Sequence, residues 1–464
     1  MNNDLANLIF RASGYFTGAR PDTWLKRMEA MQWWDAALME AWQEQELDRI
    51  IRHAVTTVPY YQRVAQSEGI DPNDQRTPRE RLAQFPVLTK ELLREHNEAL
   101  QSTVPPKHKP FKISTSGSTG KPLSMLVNMD AVGRYFAVKL RALGWYGVRF
   151  ADRQIRVWGF PLTGKQRLIW RARDLFQNRL RLVSFDLSAE TLADFYDEAL
   201  KFQPRYINGY TSGIYRFSSF IEETGRDGKA LGLKLIVPTS EILYDWQREQ
   251  MERTLGCPVM NEYGSGEAQA VAYECPEGRR LHVTHENFIV EVLDEQGRPT
   301  LPGEPGLLTL TSFCNTVMPL LRYQNGDLVV EEPGMVCECG RHRGLSGFVS
   351  IVGRSADVLL RGDGEPTHWT TIYYAIKEAF TPEMVVEHQA RQKALDLIEL
   401  QVVKGSQYDD SAMEKFLDQL KSVLGQNVQI HLKFVDEIPR EKSGKLRYFI
   451  SDIKQAQQQS QPVP

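Results

Sequence analysis

The sequence predicts an α/β protein in two parts: a large N-terminal domain of mixed sheets with helices plus a β unit, then a small, mobile α+β C-terminal domain. Three observations carry this. Strand and helix alternate between residues 206 and 261, the pattern of a mainly parallel sheet. From 281 to 330 the texture changes to alternating apolar strands with glycine turns, as at 289–294, Gly297 and 307–312; such strands pair antiparallel. Beyond Gly353 follows a charged, β-rich piece with two helical stretches, 370–380 and 411–424. The expected bounds are 1–353 and 354–454, with the glutamine-rich 455–464 as a disordered tail.

Taken in order, residues 22–68 carry helical spacing through Trp24, Met28, Met31 and Trp34, then Leu47, Ile50, Ile51, Ala54 and Val55. The Val58-Pro59-Tyr60-Tyr61 run ends that pattern, because proline disfavours helix at the residue before it. Thr89 is placed to cap a helix that starts at Lys90. A short buried strand is expected at 155–160, followed by a polar, arginine-rich segment from 165 to 181 suited to an anionic acceptor or to solvent. Strands at 206–209, 234–238 and 259–261 then alternate with helices at 212–223 and 244–255.

Composition bounds the function. A length of 464 residues implies two or three domains. The chain is 42% hydrophobic and 25% charged with net charge −3, a soluble globular balance with no basic excess to draw nucleic acid. No apolar run is long enough to span a bilayer, and Met1-Asn2-Asn3-Asp4 lacks the basic start of a signal peptide. Five cysteines, an odd number, do not read as a secreted disulfide framework, so a cytoplasmic home is expected. An oligomer is compatible with all of this.

The densest chemistry lies in Thr115-Ser116-Gly117-Ser118-Thr119-Gly120-Lys121-Pro122. Glycines let successive backbone N–H groups converge on one ligand, the hydroxyls add donors, and Lys121 adds a point charge. That combination suits a polyphosphate, although the spacing is not that of a P-loop. Four further patches follow in order: Asn261-Glu262-Tyr263-Gly264-Ser265-Gly266-Glu267, then Arg322 to Asp327, Val352 to Asp357, and Arg440 to Arg447.

Together the five patches resemble the adenylate-forming superfamily, and the His53 to Tyr61 stretch narrows the resemblance to phenylacetate–CoA ligase, coenzyme F390 synthetase and CapK-type proteins. The resemblance covers nearly the whole chain. It implies that 115–121 cradle the ATP phosphates, and that Glu267 holds Mg2+ with a hard oxygen. Ser240, Glu241, Asn261, Glu262, Tyr263 and Gly264 would line the adenine, Asp327 would bind the ribose hydroxyls, and Arg354 would add a ribose or phosphate contact. Asp357 would be the hinge, and Lys445 the catalytic lysine bridging carboxylate and α-phosphate. One departure stands out: Gly266 occupies the position of a family hydroxyl, and neighbouring Ser265 is the candidate substitute.

A second constellation is Cys275-x6-His282 with Cys337-x-Cys339, three thiols and an imidazole of the kind that close a structural Zn2+ site. His285 is the rival imidazole, and Cys257 and Cys314 are left as ordinary interior or free thiols. By position Trp158, Phe160, Asn208, Gly209 and Tyr210 are candidates for an acyl pocket, and core packing is the competing reading. The expected reaction activates a small carboxylic acid as an acyl-AMP and passes it to a thiol, coenzyme A first among them. Transfer to an amine or sugar, transfer of AMP itself, and a non-catalytic scaffold stay open at this point.

Overall fold

The computed structural model describes residues 14, 16–115, 123–149, 151–159, 171–175, 177–341, 344–354, 358–361, 366–368, 375, 379–380, 384–405, 407–441 and 444–453. The chain divides into two compact units, Met1–Ile351 and Val352–Pro464. The first opens with helices α1 (Pro21–Met31), α2 (Ala36–Thr57), α3 (Pro59–Glu68), α4 (Pro78–Ala83) and α5 (Lys90–Glu95). The break expected at Val58-Pro59 is found: α2 ends at Thr57, Val58 is extended, and a new helix starts at Pro59. The proline stands at the first position of α3, where a missing N–H breaks no helical bond. Thr89 caps α5 by accepting from the Leu92 N–H at 3.3 Å.

A hairpin of β1 (Phe111–Thr115) and β2 (Leu123–Val127) leads into α6 (Met129–Trp145). Then come β3 (Gln154–Trp158), β4 (Arg179–Val183), α7 (Ala189–Phe202), β5 (Tyr206–Tyr210), α8 (Thr211–Glu223), β6 (Leu235–Thr239), α9 (Asp245–Leu255) and β7 (Glu262–Ser265). Part of the polar segment expected at 165–181 is therefore strand: Arg179 and Arg181 lie on β4. The order β7-β6-β5-β3-β4 is all parallel, as the alternation of strand and helix requires. Ile155, Val157, Ile207 and Ile236 point to one face and pack with α7, α8 and α9.

The second texture continues as β8 (Gln269–Glu274), β9 (Leu281–Val283), β10 (Phe288–Leu293), β11 (Pro305–Ser312), β12 (Tyr323–Glu332) and β13 (Gly347–Arg354). These do not form a separate unit. β7 pairs parallel with β6 on one side and antiparallel with β8 on the other, which joins both textures in one eleven-stranded sheet. Helix α6 lies across the join. Its Tyr135 stacks on Phe288 with centroids 6.3 Å apart, while Val138 and Ala142 pack with Leu235 and Val237. The buried Arg141 of α6 pairs with Glu286 and donates to the Met28 carbonyl at 3.1 Å, fixing α6 against α1 and the turn before β10.

In the second unit β14 (Val358–Leu360) pairs with β15 (Pro366–His368). A four-stranded sheet follows, of β16 (Val385–Ala394), β17 (Leu397–Lys404), β18 (Gln429–Phe434) and β19 (Phe449–Ser451), with α10 (Asp410–Leu424) between β17 and β18. This is the expected α+β texture. Of the helix expected over 370–380, only Ala375, Ala379 and Phe380 fall among the described residues. No helix of the described residues is long and apolar enough to cross a membrane.

Candidate active site and metal centre

The two strands of the first hairpin end in register, Thr115 opposite Leu123, with Ser114 Oγ and Ser124 Oγ 3.1 Å apart. This holds the two ends of the glycine-serine loop together. Residues Ser116, Gly117, Ser118, Thr119, Gly120 and Lys121 themselves, and the Thr115 side chain, lie outside the described residues.

Asp327 is aimed by a bulge. Leu307 pairs with Leu328 and Thr309 with Gln324, so Asn325, Gly326 and Asp327 stand against Leu308 alone. Gly326 takes φ +80°, which a side chain would resist. The Tyr263 hydroxyl donates to Asp327 Oδ2 at 2.7 Å, and Asn325 Nδ2 donates to the same oxygen at 2.8 Å and to the Tyr263 oxygen at 2.9 Å. Asn325 is buried, so this set is rigid. Tyr263 thus offers more than a flat face: its hydroxyl positions the acid. Tyr323 faces both Glu267 and Asp327. Burial and these two carboxylates push its phenol well above the ordinary range, so it stays a proton donor. Glu267, 5% exposed, and Asp327 therefore both lie near the Tyr323 phenol.

The turn between β7 and β8 explains the motif's glycine. A Cβ on Gly264 would meet the Gln269 carbonyl oxygen at 2.1 Å. Gly264→Ala is expected to destabilise the protein by about 1–3 kcal/mol, read as a lower urea midpoint at unchanged slope. Ser265 Oγ accepts from the Ala268 N–H at 2.9 Å, so the candidate substitute for the missing hydroxyl is engaged in the turn.

Other expected residues have different tasks. The Glu241 carboxylate accepts from the Ser212 N–H at 2.7 Å and hydroxyl at 3.1 Å, stabilising the N-terminal turn of α8. Ser240 beside it has φ +70°, a strained backbone for a residue with a Cβ. The Asn261 N–H donates to Glu274 Oε2 at 3.1 Å, and the same oxygen takes Arg248 at 2.6 Å. Arg354 ends β13 with its side chain outside the described residues, and the hinge candidate Asp357 and acyl candidate Phe160 lie wholly outside them.

The remaining acyl candidates divide by strand face. Trp158 stacks on Tyr210 with centroids 4.3 Å apart. Gly209 faces the other way, where a Cβ would strike the Val157 carbonyl, so it serves strand packing. Asn208 is fully buried; its Nδ2 donates to the Val237 carbonyl at 2.8 Å. Its Oδ1 accepts from Lys139 at 3.3 Å and from Arg156. Lys139 reaches Glu262 Oε2 at 2.7 Å, so Glu262 holds a lysine of α6. Arg156 lies over the Trp158 ring at 4.1 Å, while Arg179 and Arg181 on β4 share Asp174. Burial lowers the Lys139 ammonium despite Glu262, and lowers Arg179 to about 10, with repulsion from Arg156 adding to it. The sequence reading missed this cluster. Its signal was present: Gln154-Ile-Arg-Val-Trp and Arg179-Leu-Arg-Leu-Val alternate charge with apolar residues in parallel strands, which ordinarily read as continuous apolar runs.

The metal candidates do converge. One ligand atom from each of Cys275, His282, Cys337 and Cys339 lies within 4.8 Å of the others. Cys275 Sγ and Cys337 Sγ are 3.4 Å apart, and Cys339 Sγ is 3.3 Å from His282 Nε2. A disulfide needs about 2.05 Å, whereas sulfurs on a tetrahedral zinc stand about 3.8 Å apart. Topology makes the cluster: Cys275 and His282 flank the β8–β9 turn, Cys337 and Cys339 lie between β12 and β13, and β9 pairs with β13. A hydrogen bond from Cys339, with others from His282 and the Arg280 and Gly278 backbone, draws the Cys275 thiol well down. His285 is committed elsewhere, its Nε2 2.7 Å from the Ser346 carbonyl oxygen. Cys257 and Cys314 are buried free thiols, as expected.

In the second unit Lys445 sits in a pinned loop. The Glu441 N–H donates to the Lys445 carbonyl at 3.0 Å, Gly444 takes φ +85°, and Gln389 holds the Arg447 carbonyl at 2.7 Å. Arg440 pairs with Glu387, and Leu446 and Tyr448 are buried.

Several known proteins are similar to this chain. The sequence model of a family described as the CapK C-terminal domain matches residues 359–452. Protein CapK of Staphylococcus aureus is 28% identical over 375 residues, covering 80% of each chain. The phenylacetate-coenzyme A ligase of Thermus thermophilus is 28% identical over 440 residues, covering 88% of this chain and 95% of that one. Among solved structures, 2-hydroxyisobutyryl-CoA ligase in the postadenylation state aligns with TM-score 0.73 at 19% identity, over 92% of this chain and 93% of that one. At that identity the likeness speaks for the fold. The chain is thus a homologue of CapK and phenylacetate–CoA ligase, carries a match to the CapK C-terminal domain, and shares the fold of an acyl-CoA ligase.

Proposed function

We propose that the protein activates a carboxylic acid with ATP and passes the acyl group to coenzyme A. In the first step a carboxylate oxygen attacks the α-phosphorus, pyrophosphate leaves, and an acyl-AMP forms. In the second a thiol attacks the acyl carbon and AMP leaves with the bonding electrons. The observation that carries the reading is the Tyr263–Asn325–Asp327 set beside buried Glu267, at the carboxyl ends of parallel strands where such sheets bind ligands. One oxygen of Asp327 is oriented by two donors, so the carboxylate is preset to accept from ribose hydroxyls. Residues 115–121 bind the phosphates, and Arg354 adds a contact. Glu267 offers the hard oxygen that suits Mg2+, which when bound neutralises phosphate charge. Lys445 bridges the carboxylate and the α-phosphate.

The cysteine–histidine cluster fits a structural Zn2+, because four protein ligands leave no position open for water. Its task is to staple strands, apart from the chemistry.

The test is ATP–pyrophosphate exchange across aryl, fatty, amino and dicarboxylic acids, with and without coenzyme A. Exchange with an acid, then AMP and thioester on adding coenzyme A, is the expected result. Asp327→Ala is expected to raise KM for ATP by about 10–100-fold through loss of hydrogen bonds to a charged acceptor. Exchange unaltered by that change would remove the ribose assignment, and thioester never forming would remove coenzyme A as acceptor.

A further inference from the structure

The face of β3, β4 and β5 under α6 carries a charge arrangement that a pocket for a hydrocarbon acid has no use for. Lys139, Arg156, Arg179 and Arg181 stand together, with Glu262 and Asp174 ion-paired among them. Glu262 answers Lys139, and Asp174 is shared by Arg179 and Arg181. Among the described residues no carboxylate forms an ion pair with Arg156; it bonds Asn208 and lies over Trp158. Residues 160–170, which follow β3 in the chain, contain no aspartate or glutamate. Arg156 therefore stands as a cation in a setting where burial disfavours its charge, as it does the charges of Lys139 and Arg179.

It is also reachable. The Lys139 side chain keeps 23% of its exposure and Arg179 keeps 19%, although both are surrounded by protein. Solvent therefore reaches the edge of the cluster at these two side chains. The cluster adjoins the nucleotide side directly: Glu262 and Tyr263 are consecutive on β7 and point to opposite faces, Tyr263 toward Asp327 and Glu262 toward Lys139. A ligand crossing the carboxyl ends of β5, β6 and β7 from Asp327 would put its far end beside Arg156, with the Trp158–Tyr210 stack as a wall.

We propose that Lys139, Arg156, Asn208 and Glu262 form the floor of the acyl pocket, and that the acid carries a second anionic group, as a dicarboxylate does, lying against the Arg156 guanidinium. This rests on the adenylation reading and names its substrate class. An anion there supplies a countercharge for Arg156, while an alkyl or phenyl end leaves it to Glu262, which is ion-paired to Lys139. Polar pockets discriminate more sharply than apolar ones for that reason.

The experiment compares pyrophosphate exchange for dicarboxylates with monocarboxylates of equal carbon number, glutarate with valerate among them, and for phthalate with benzoate. The wild-type protein is expected to favour a dicarboxylate by roughly tenfold or more in kcat/KM. Arg156→Met is expected to collapse that preference through KM for the acid, and Arg156→Lys to restore part of it. Glu262→Gln, which removes the competing carboxylate, is expected to strengthen it. Melting temperature reports whether each variant is folded; should Arg156→Met fail to fold, the Arg156→Lys and Glu262→Gln shifts decide. Exchange with monocarboxylates preferred, or a preference none of the substitutions moves, overturns the inference and leaves adenylation standing. Exchange with no acid, by protein that binds ATP, overturns the adenylation reading and this inference with it.

Discussion

Lys445→Ala is expected to reduce acid-dependent ATP–pyrophosphate exchange by about 10²–10³-fold, the usual effect of removing one group that stabilises developing charge. The reaction brings a carboxylate onto a phosphate, two anions, and a cation between them counts most when they are closest. The loss should therefore fall on kcat more than on KM for either substrate. The loop makes the substitution clean. Lys445 is held by its carbonyl, through the Glu441 N–H, and its neighbours Leu446 and Tyr448 are buried, so a methyl side chain leaves the anchors intact. Thioester formation from a supplied acyl-AMP should be far less affected, because no phosphate is attacked in that step. If exchange in Lys445→Ala matches the wild type while melting is unchanged, the lysine has no part in the chemistry and the scaffold reading gains ground.

What the sequence discloses here depends on how local the cause is. Thr89 capping α5, the α/β alternation and the α+β texture of the second unit follow from spacing and propensity within a few residues, and all are found. The union of two textures into one sheet depends on β7, four residues long, pairing in opposite senses with β6 and β8. A strand that short carries no periodicity, and its glycine and serine read as a loop. Asp327 was nameable from its motif, yet its orientation comes from a bulge against Leu308 and from Asn325, neither of which spacing reveals. Glu241 sits beside a motif position, but the N-terminus of α8 claims its carboxylate. Lys139 and Arg156 escaped because a lysine on a helix and an arginine on a strand read as solvated until the topology sets them face to face over Asn208.

Purified without chelator, the protein is expected to contain about one equivalent of zinc. Cys275→Ser or Cys337→Ser should lower this well below half an equivalent and reduce the melting temperature by roughly 10 °C. The magnitude follows from what the cluster joins. Among the described residues β9 and β13 pair through Gly347 with His282 and Phe348 with Leu281, so the cluster adds a second tie between the β8–β9 turn and the β12–β13 connection. Three thiols and an imidazole gathered within 4.8 Å have weak S–H donors to satisfy one another; a divalent cation converts that crowding into bonds. Gly278 is shaped to the cluster, since a Cβ there would lie 2.6 Å from Cys337 Sγ. Cys257→Ser provides the control: its thiol is pushed up to about 12 by burial and lies outside the cluster, so metal content should not change. Exchange activity measured well below the melting point should survive in the cysteine variants, because the ion's place is in the strand connections and Asp327, Tyr263 and Glu267 are held by contacts of their own. Well under one equivalent of any metal in the wild type, with Cys337→Ser melting alongside it, would show that the four side chains pack without an ion.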